Sequence, residues 1–171
     1  MLPVLPIDYL PYAKHVVALA ICIAAFIWGG GPERAIAAVW MIFFELANLG
    51  YDLFLRDGHQ FAQVDGALAS LDLVAGLLLI AIALNANRNY PLFIAAMQLL
   101  AISAHLARGL IEAISPIAYI TMLVAPGWVL LFFLGIGLLR HRSRLKRHSN
   151  YRDWRSPTPL FLSFSPQEGQ N

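Results

Sequence analysis

The chain has 171 residues, of which 59% are hydrophobic and only 13% charged, with a formal net charge of +2 and a mean hydropathy of +0.65. Soluble domains carry about a quarter charged residues, so this composition excludes an ordinary soluble globular domain and points to an integral membrane protein. The single cysteine, Cys22, excludes an internal disulfide framework and a cysteine-based zinc site.

The opening "MLPVLPIDYLPY" (1–12) reads as a short outer-surface segment, with Tyr9 and Tyr12 at the membrane interface. The first apolar run covers 12–28. No basic region precedes it and no small-residue cleavage pattern follows, so it reads as a span rather than a signal peptide. "GGGPER" (29–34) breaks the chain, and Pro32 suits the first turn of a second helix over 35–55. A third apolar run covers 67–86, a fourth 90–113 and a fifth 117–139, with "NANRNYP" and "ISP" as the turns between them. Ser115 before Pro116 reads as an N-cap and first helical position. Each run approaches the roughly 20 residues that cross a hydrocarbon core, and backbone in lipid must satisfy its own hydrogen bonds. The expected fold is therefore all-α, a membrane bundle of about five helices over 1–140, with consecutive helices as antiparallel neighbours. Inside the fifth helix, "APGW" (125–128) predicts a kink at Pro126, and Gly135 and Gly137 offer a close approach to another helix.

A basic tail, 141–171, follows. Seven of the twelve basic residues fall in the last 32 positions: Arg140, Arg142, Arg144, Lys146, Arg147, Arg152 and Arg155. The positive-inside rule puts this end in the cytoplasm and the N-terminus outside, with Arg34 and Arg88 also on the inner side. Arg140, Arg142, Arg144, Lys146 and Arg147 form a membrane-surface basic cluster attracted to anionic headgroups. Beyond it the tail is partly disordered or docks a partner, for which Trp154, Leu160, Phe161 and Phe164 are the candidates.

Polar residues inside the spans carry the functional question. On the fourth helix Gln98, His105, Arg108 and Glu112 share an arc of about 80°, and on the second Glu45, Asn48 and Asp52 share about 60°. The third helix contributes Asp72. Such groups are costly against lipid, so the stripes should face one another as a seam joining helices two, three and four. Counting depth from the helix ends puts Asp52, Asp72 and Arg108 in one outer layer, Glu45 and Gln98 in a deeper one, and His105 between. Arg108 would be neutralised by Asp52 and Asp72 through its forked donors. The carboxylates Glu45, Asp52, Asp72 and Glu112 outnumber that one embedded guanidinium. A surplus carboxylate beside a histidine is what a proton path or cation site requires.

No nucleotide loop, Ser-x-x-Lys pair, His-Glu-x-x-His or paired-cysteine motif occurs, so no catalytic residue is assigned. Haem would need facing histidines, and only His105 lies well inside a span, so no cofactor or metal is expected. Nothing resembles a nucleic-acid module. The first reading is thus a non-enzymatic accessory or scaffolding subunit of a larger membrane complex, with the bilayer and other membrane polypeptides as partners. The alternative is a small transport or proton-coupled protein using Glu45, Asp72, His105 and Arg108. A membrane enzyme acting on lipid comes third.

Two stretches, "LNANRNYPLFIAAMQLLAISAHLARGLIEAISPIAYITM" (84–122) and "HRSRLKRHSNYRDWR" (141–155), resemble a family of small uncharacterised integral membrane proteins of alphaproteobacteria, sphingomonads in particular. The resemblance covers about 30–155. It implies a bacterial inner-membrane setting and no particular activity.

Overall fold

A computed structural model describes residues 10–54, 66–110, 115–147 and 152–155. Every regular element among them is helical. Helix α1 is Leu10–Trp28. A long second helix follows in three parts: α2 (Gly31–Val39), a π-helical segment (Trp40–Leu46) and α3 (Ala47–Phe54). Helix α4 is Gly66–Asn85, α5 is Tyr90–Leu110 and α6 is Pro116–Arg147. Among the described residues the helices cover the apolar runs and a turn interrupts them at 86–89, whereas the second helix begins at Gly31, inside the stretch expected as a break.

Three helices are long and apolar enough to cross a membrane: Gly66–Asn85, Tyr90–Leu110 and Val124–Arg147. The apolar stretch of α1, Ala13–Trp28, is shorter. Large apolar side chains cover the outside of the bundle, among them Phe26, Ile27, Leu77, Leu84, Phe93, Leu100, Phe132 and Leu139. This is the inverse of a water-soluble surface.

The helices close into a ring. Consecutive helices α1–α2, α4–α5 and α5–α6 pack together, α2 and the π segment pack on α4, and α6 returns to α1. Small residues set the close contacts, because they let helix backbones approach one another. Ala18, Cys22 and Ala25 recur at helical spacing on the buried face of α1. A Cβ on Gly76 would stand 2.6 Å from Ile102 Cδ1, so α4 approaches α5 through that gap. A Cβ on Gly137 would stand 2.6 Å from the Tyr90 ring, which is the close approach anticipated at this position. Phe93 and Phe133 stack at 5.2 Å across the same α5–α6 seam.

Two boundaries differ from the sequence reading. Helix α6 starts as expected, with Ser115 Oγ accepting the Ala118 N–H at 3.2 Å, and runs through Pro126. It then continues past 139 to Arg147. Arg, Lys and Leu favour helix, and basic residues in a last turn oppose the negative end of the helix dipole, so nothing in the basic run stops it. The second helix, expected as one regular span, contains the π segment.

Candidate functional site

Two polar clusters lie at opposite ends of the bundle, with an apolar layer between them. The first, at the end away from the tail, is built on the π segment. A π turn stacks residue i over i+5 rather than i+4. It sets the Trp40 indole under Glu45, whose Oε1 accepts the Trp40 Nε1–H at 3.0 Å. The other carboxylate oxygen takes His15 Nδ1 of α1 at 2.7 Å. The Lys14 ammonium lies 5.6 Å from the centre of the Trp40 ring, a cation–π approach. It points inward past Gly127, where a Cβ would meet Nζ at 3.2 Å.

Across the bundle, Asp72 of α4 meets α5. Its Oδ2 is 2.8 Å from His105 Nε2, and its Oδ1 accepts from Gln98 Nε2 at 3.0 Å. Gln98 Nε2 also reaches the Asp72 backbone carbonyl at 3.2 Å. Gln98 and His105 are buried, while the Asp72 side chain keeps 18% exposure. Between the two halves lies a cavity of about 170 Å³, lined by Lys14, Trp40, Phe43, Phe44, Asp72, Gln98, His105 and Gly127 among others. It has room for several waters or a small solute, and it has polar partners to hold them.

Of the residues expected in the seam, Asp72 of α4 meets Gln98 and His105 of α5. Asp72 pairs with His105 and Gln98 together, so these residues do not separate into an outer and a deeper layer. Arg108 is half-buried. Glu45 faces α1 through His15. The side chains of Asn48 and Asp52, and Glu112, Leu160, Phe161 and Phe164, lie outside the described residues. Lys14 was not anticipated as a cavity residue, since its position in sequence suggests only the edge of a span. Its long stem lets the ammonium reach inward.

The second cluster, at the tail end, was not anticipated as a site at all. Arg88, in the turn between α4 and α5, is buried and pairs with both the Glu33 and Asp153 carboxylates. A third partner is His141 Nδ1, 2.8 Å from Arg88 Nη2. Glu33 is fully buried in the first turn of α2. Burial alone would pull the Arg88 guanidinium down, but the Glu33 and Asp153 charges outweigh it and push it above its usual range.

The tail closes over this cluster. Asp153 Oδ2 accepts the Gly31 N–H at 2.9 Å. Gly30, the residue at the N-cap of α2, has no capping side chain, so Asp153 supplies a cap from 122 positions away. A short antiparallel bridge joins Ala86 to Trp154, with Asn87 N–H to Asp153 O at 3.1 Å and Arg155 N–H to Asn85 O at 2.9 Å. The Trp154 indole lies directly over Gly31, where a Cβ would run into Nε1. Trp154 remains 39% exposed. Of the five basic-cluster residues, Arg144 is half-buried and Arg140, Arg142, Lys146 and Arg147 are exposed on the last turns of α6.

The layer between the clusters is apolar. It contains Ile36, Ala37, Ala75, Leu79, Ile94, Leu130, Leu131 and Leu134, all at 2% exposure or less. The cavity therefore ends against packed side chains on its tail side. Among the described residues no three His, Cys, Asp or Glu side chains converge as a metal site. Compared with protein-family models, curated proteins and solved structures, the chain matches none.

Proposed function

We propose that the chain is a five-span protein of the bacterial cytoplasmic membrane, N-terminus outside and C-terminus inside, whose outer cavity makes it a small proton-coupled protein. The observation that carries this is the Asp72–His105–Gln98 group facing Lys14 across a 170 Å³ polar cavity. A carboxylate bonded to an imidazole inside an otherwise apolar bundle is a place where a proton can be taken up without leaving a bare charge in lipid. His15 and Glu45 add exchangeable groups towards the outer end; His15 is half-exposed.

The five-span topology is supported by the three helices long and apolar enough to cross a membrane and by the 24-residue second helix. At about 1.5 Å per residue that helix is roughly 36 Å long. The basic end of α6 supports a cytoplasmic C-terminus. The test is proton uptake by proteoliposomes containing an internal pH dye. Wild type should acidify the lumen after an external acid step, which requires the apolar layer beneath the cavity to open transiently, and Asp72→Asn should fall to the rate of empty vesicles while staying folded. Equal rates for wild type and Asp72→Asn would refute the reading.

A second reading is favoured by the apolar layer beneath the cavity. A pocket closed on one side binds without conducting, which suits an accessory subunit whose α4–α5 seam responds to protonation inside a larger membrane complex. Native mass of protein extracted gently from its own membranes separates the two. Other polypeptides retained in stable ratio favour the accessory role, and a bare monomer or homo-oligomer favours the proton-coupled one.

A further inference from the structure

A groove runs along the tail end of the bundle, between the last turn of α1 and the last two turns of α6. Its volume is about 410 Å³, within the range of small-molecule sites. Three cations line it: Arg34 from α2, and Arg142 and Lys146 from α6. All three are exposed. Among the described residues no carboxylate pairs with any of them. Arg142 is held in place, its guanidinium carbon lying 4.8 Å from the centre of the Trp28 ring.

His141 adds a directed donor. It is buried at 5% exposure and lines the same groove. Its Nδ1 is bonded to Arg88 Nη2. A guanidinium has no acceptor, so Arg88 donates and Nδ1 must be unprotonated. The ring proton is therefore on Nε2, which leaves an N–H donor on the side of the imidazole away from Arg88. The buried cluster thereby fixes the tautomer of a groove residue, as an outer partner fixes a ligating histidine elsewhere.

The remaining wall is apolar. Ile27 and Leu145 are exposed large side chains on the faces of α1 and α6. Trp28, at 49% exposure, is a residue type that favours the membrane–water interface. An anion bound by three cations and one neutral donor, beside an apolar strip along the helices, has the chemistry of a lipid phosphate with its acyl chain.

We infer that this groove binds the phosphate headgroup of an anionic phospholipid from the inner leaflet, with Arg34, Arg142, Lys146 and His141 as its ligands. The site rests on the membrane reading above, and it does not depend on proton coupling at the outer cavity.

The test is native mass spectrometry of the full chain in mild detergent, titrated with short-chain phosphatidylglycerol. Phosphatidylcholine and inorganic phosphate serve as comparisons. One phosphatidylglycerol should bind with clear preference over phosphatidylcholine. Arg142→Gln with Lys146→Gln should weaken it about thirtyfold, the loss expected for two membrane-surface cations. Arg140→Gln with Arg147→Gln removes the same charge outside the groove and should change affinity less than threefold. Equal losses in the two double variants, or equal binding of phosphatidylcholine, would overturn the site. Displacement of the lipid by inorganic phosphate at matching concentration would overturn the lipid assignment in favour of a free phosphate. A chain that stays with membranes yet retains neither lipid defeats the site alone, whereas a chain recovered without detergent defeats the membrane reading first.

Discussion

The two polar clusters use similar residues to opposite ends. At the tail end, Arg88 and Glu33 are almost fully buried, with side-chain exposures of 1% and 0%, and the carboxylates of Glu33 and Asp153 close on one guanidinium. At the cavity end, Asp72 keeps 18% exposure and Glu45 15%, each beside a histidine, and Asp72 and His105 line an open cavity. A buried fixed cation holds its carboxylates in one protonation state and one geometry. A carboxylate–imidazole pair next to a cavity can change protonation with little rearrangement. Enclosure and partner type, rather than the number of charges, separate a structural clasp from an exchangeable site.

The largest expected effect is at the clasp. Arg88→Ala leaves the Glu33 carboxyl group buried without its partner, a loss of about 3–5 kcal/mol, read as a lowered unfolding midpoint in detergent. Replacing both, Glu33→Leu with Arg88→Met, should restore most of it, since a buried pair is often no better than an apolar pair of similar volume. Failure of the double variant to recover would mean that Asp153 and His141 need Arg88 for the tail to dock.

Next in size is Gly137→Ala, which drives a methyl group into the Tyr90 ring. Overpacking of this kind costs roughly 1–3 kcal/mol and should loosen the α5–α6 seam beside the clasp without affecting the outer cavity. Asp72→Asn is smaller in stability, about 1–2 kcal/mol for an altered buried hydrogen-bond set, while its effect on proton uptake is complete. A stability loss as large as that of Arg88→Ala would erase the distinction between the clusters. The smallest effect is at His15. Its pair with Glu45 is half-exposed on the histidine side, so His15→Ala should cost less than about 0.5 kcal/mol in thermal unfolding.

Much of the fold was legible in the sequence, because long apolar runs bounded by Gly, Pro and Asn read as helices from composition and punctuation. The cap at Ser115 and the close approach at Gly137 followed from residue type. Asp72, Gln98 and His105 were legible as members of facing stripes but not as partners, because periodicity gives direction around a helix and depth counting carries an error of about a turn. The π segment had no sequence signal, and it alone aligns Trp40 with Glu45. The tail-end clasp was missed because Arg88 sits in a short turn and Glu33 at a helix start, where charge is ordinarily solvated. Two signals pointed to it. "GGGPER" starts a helix with no capping side chain, so an amide there needed a partner from elsewhere. "RDWR" places the single acid, Asp153, inside a basic stretch.

The central claim is that the cavity meets water and the apolar layer beneath it does not, and substituted-cysteine labelling tests it most directly. A small membrane-impermeant thiosulfonate is applied to intact cells, with the native Cys22, buried in the core, as the internal unreactive control. Ala101→Cys, on the cavity wall, should label from outside, and Ala37→Cys, in the apolar layer, should not. Labelling of both positions, or of neither, would contradict the account.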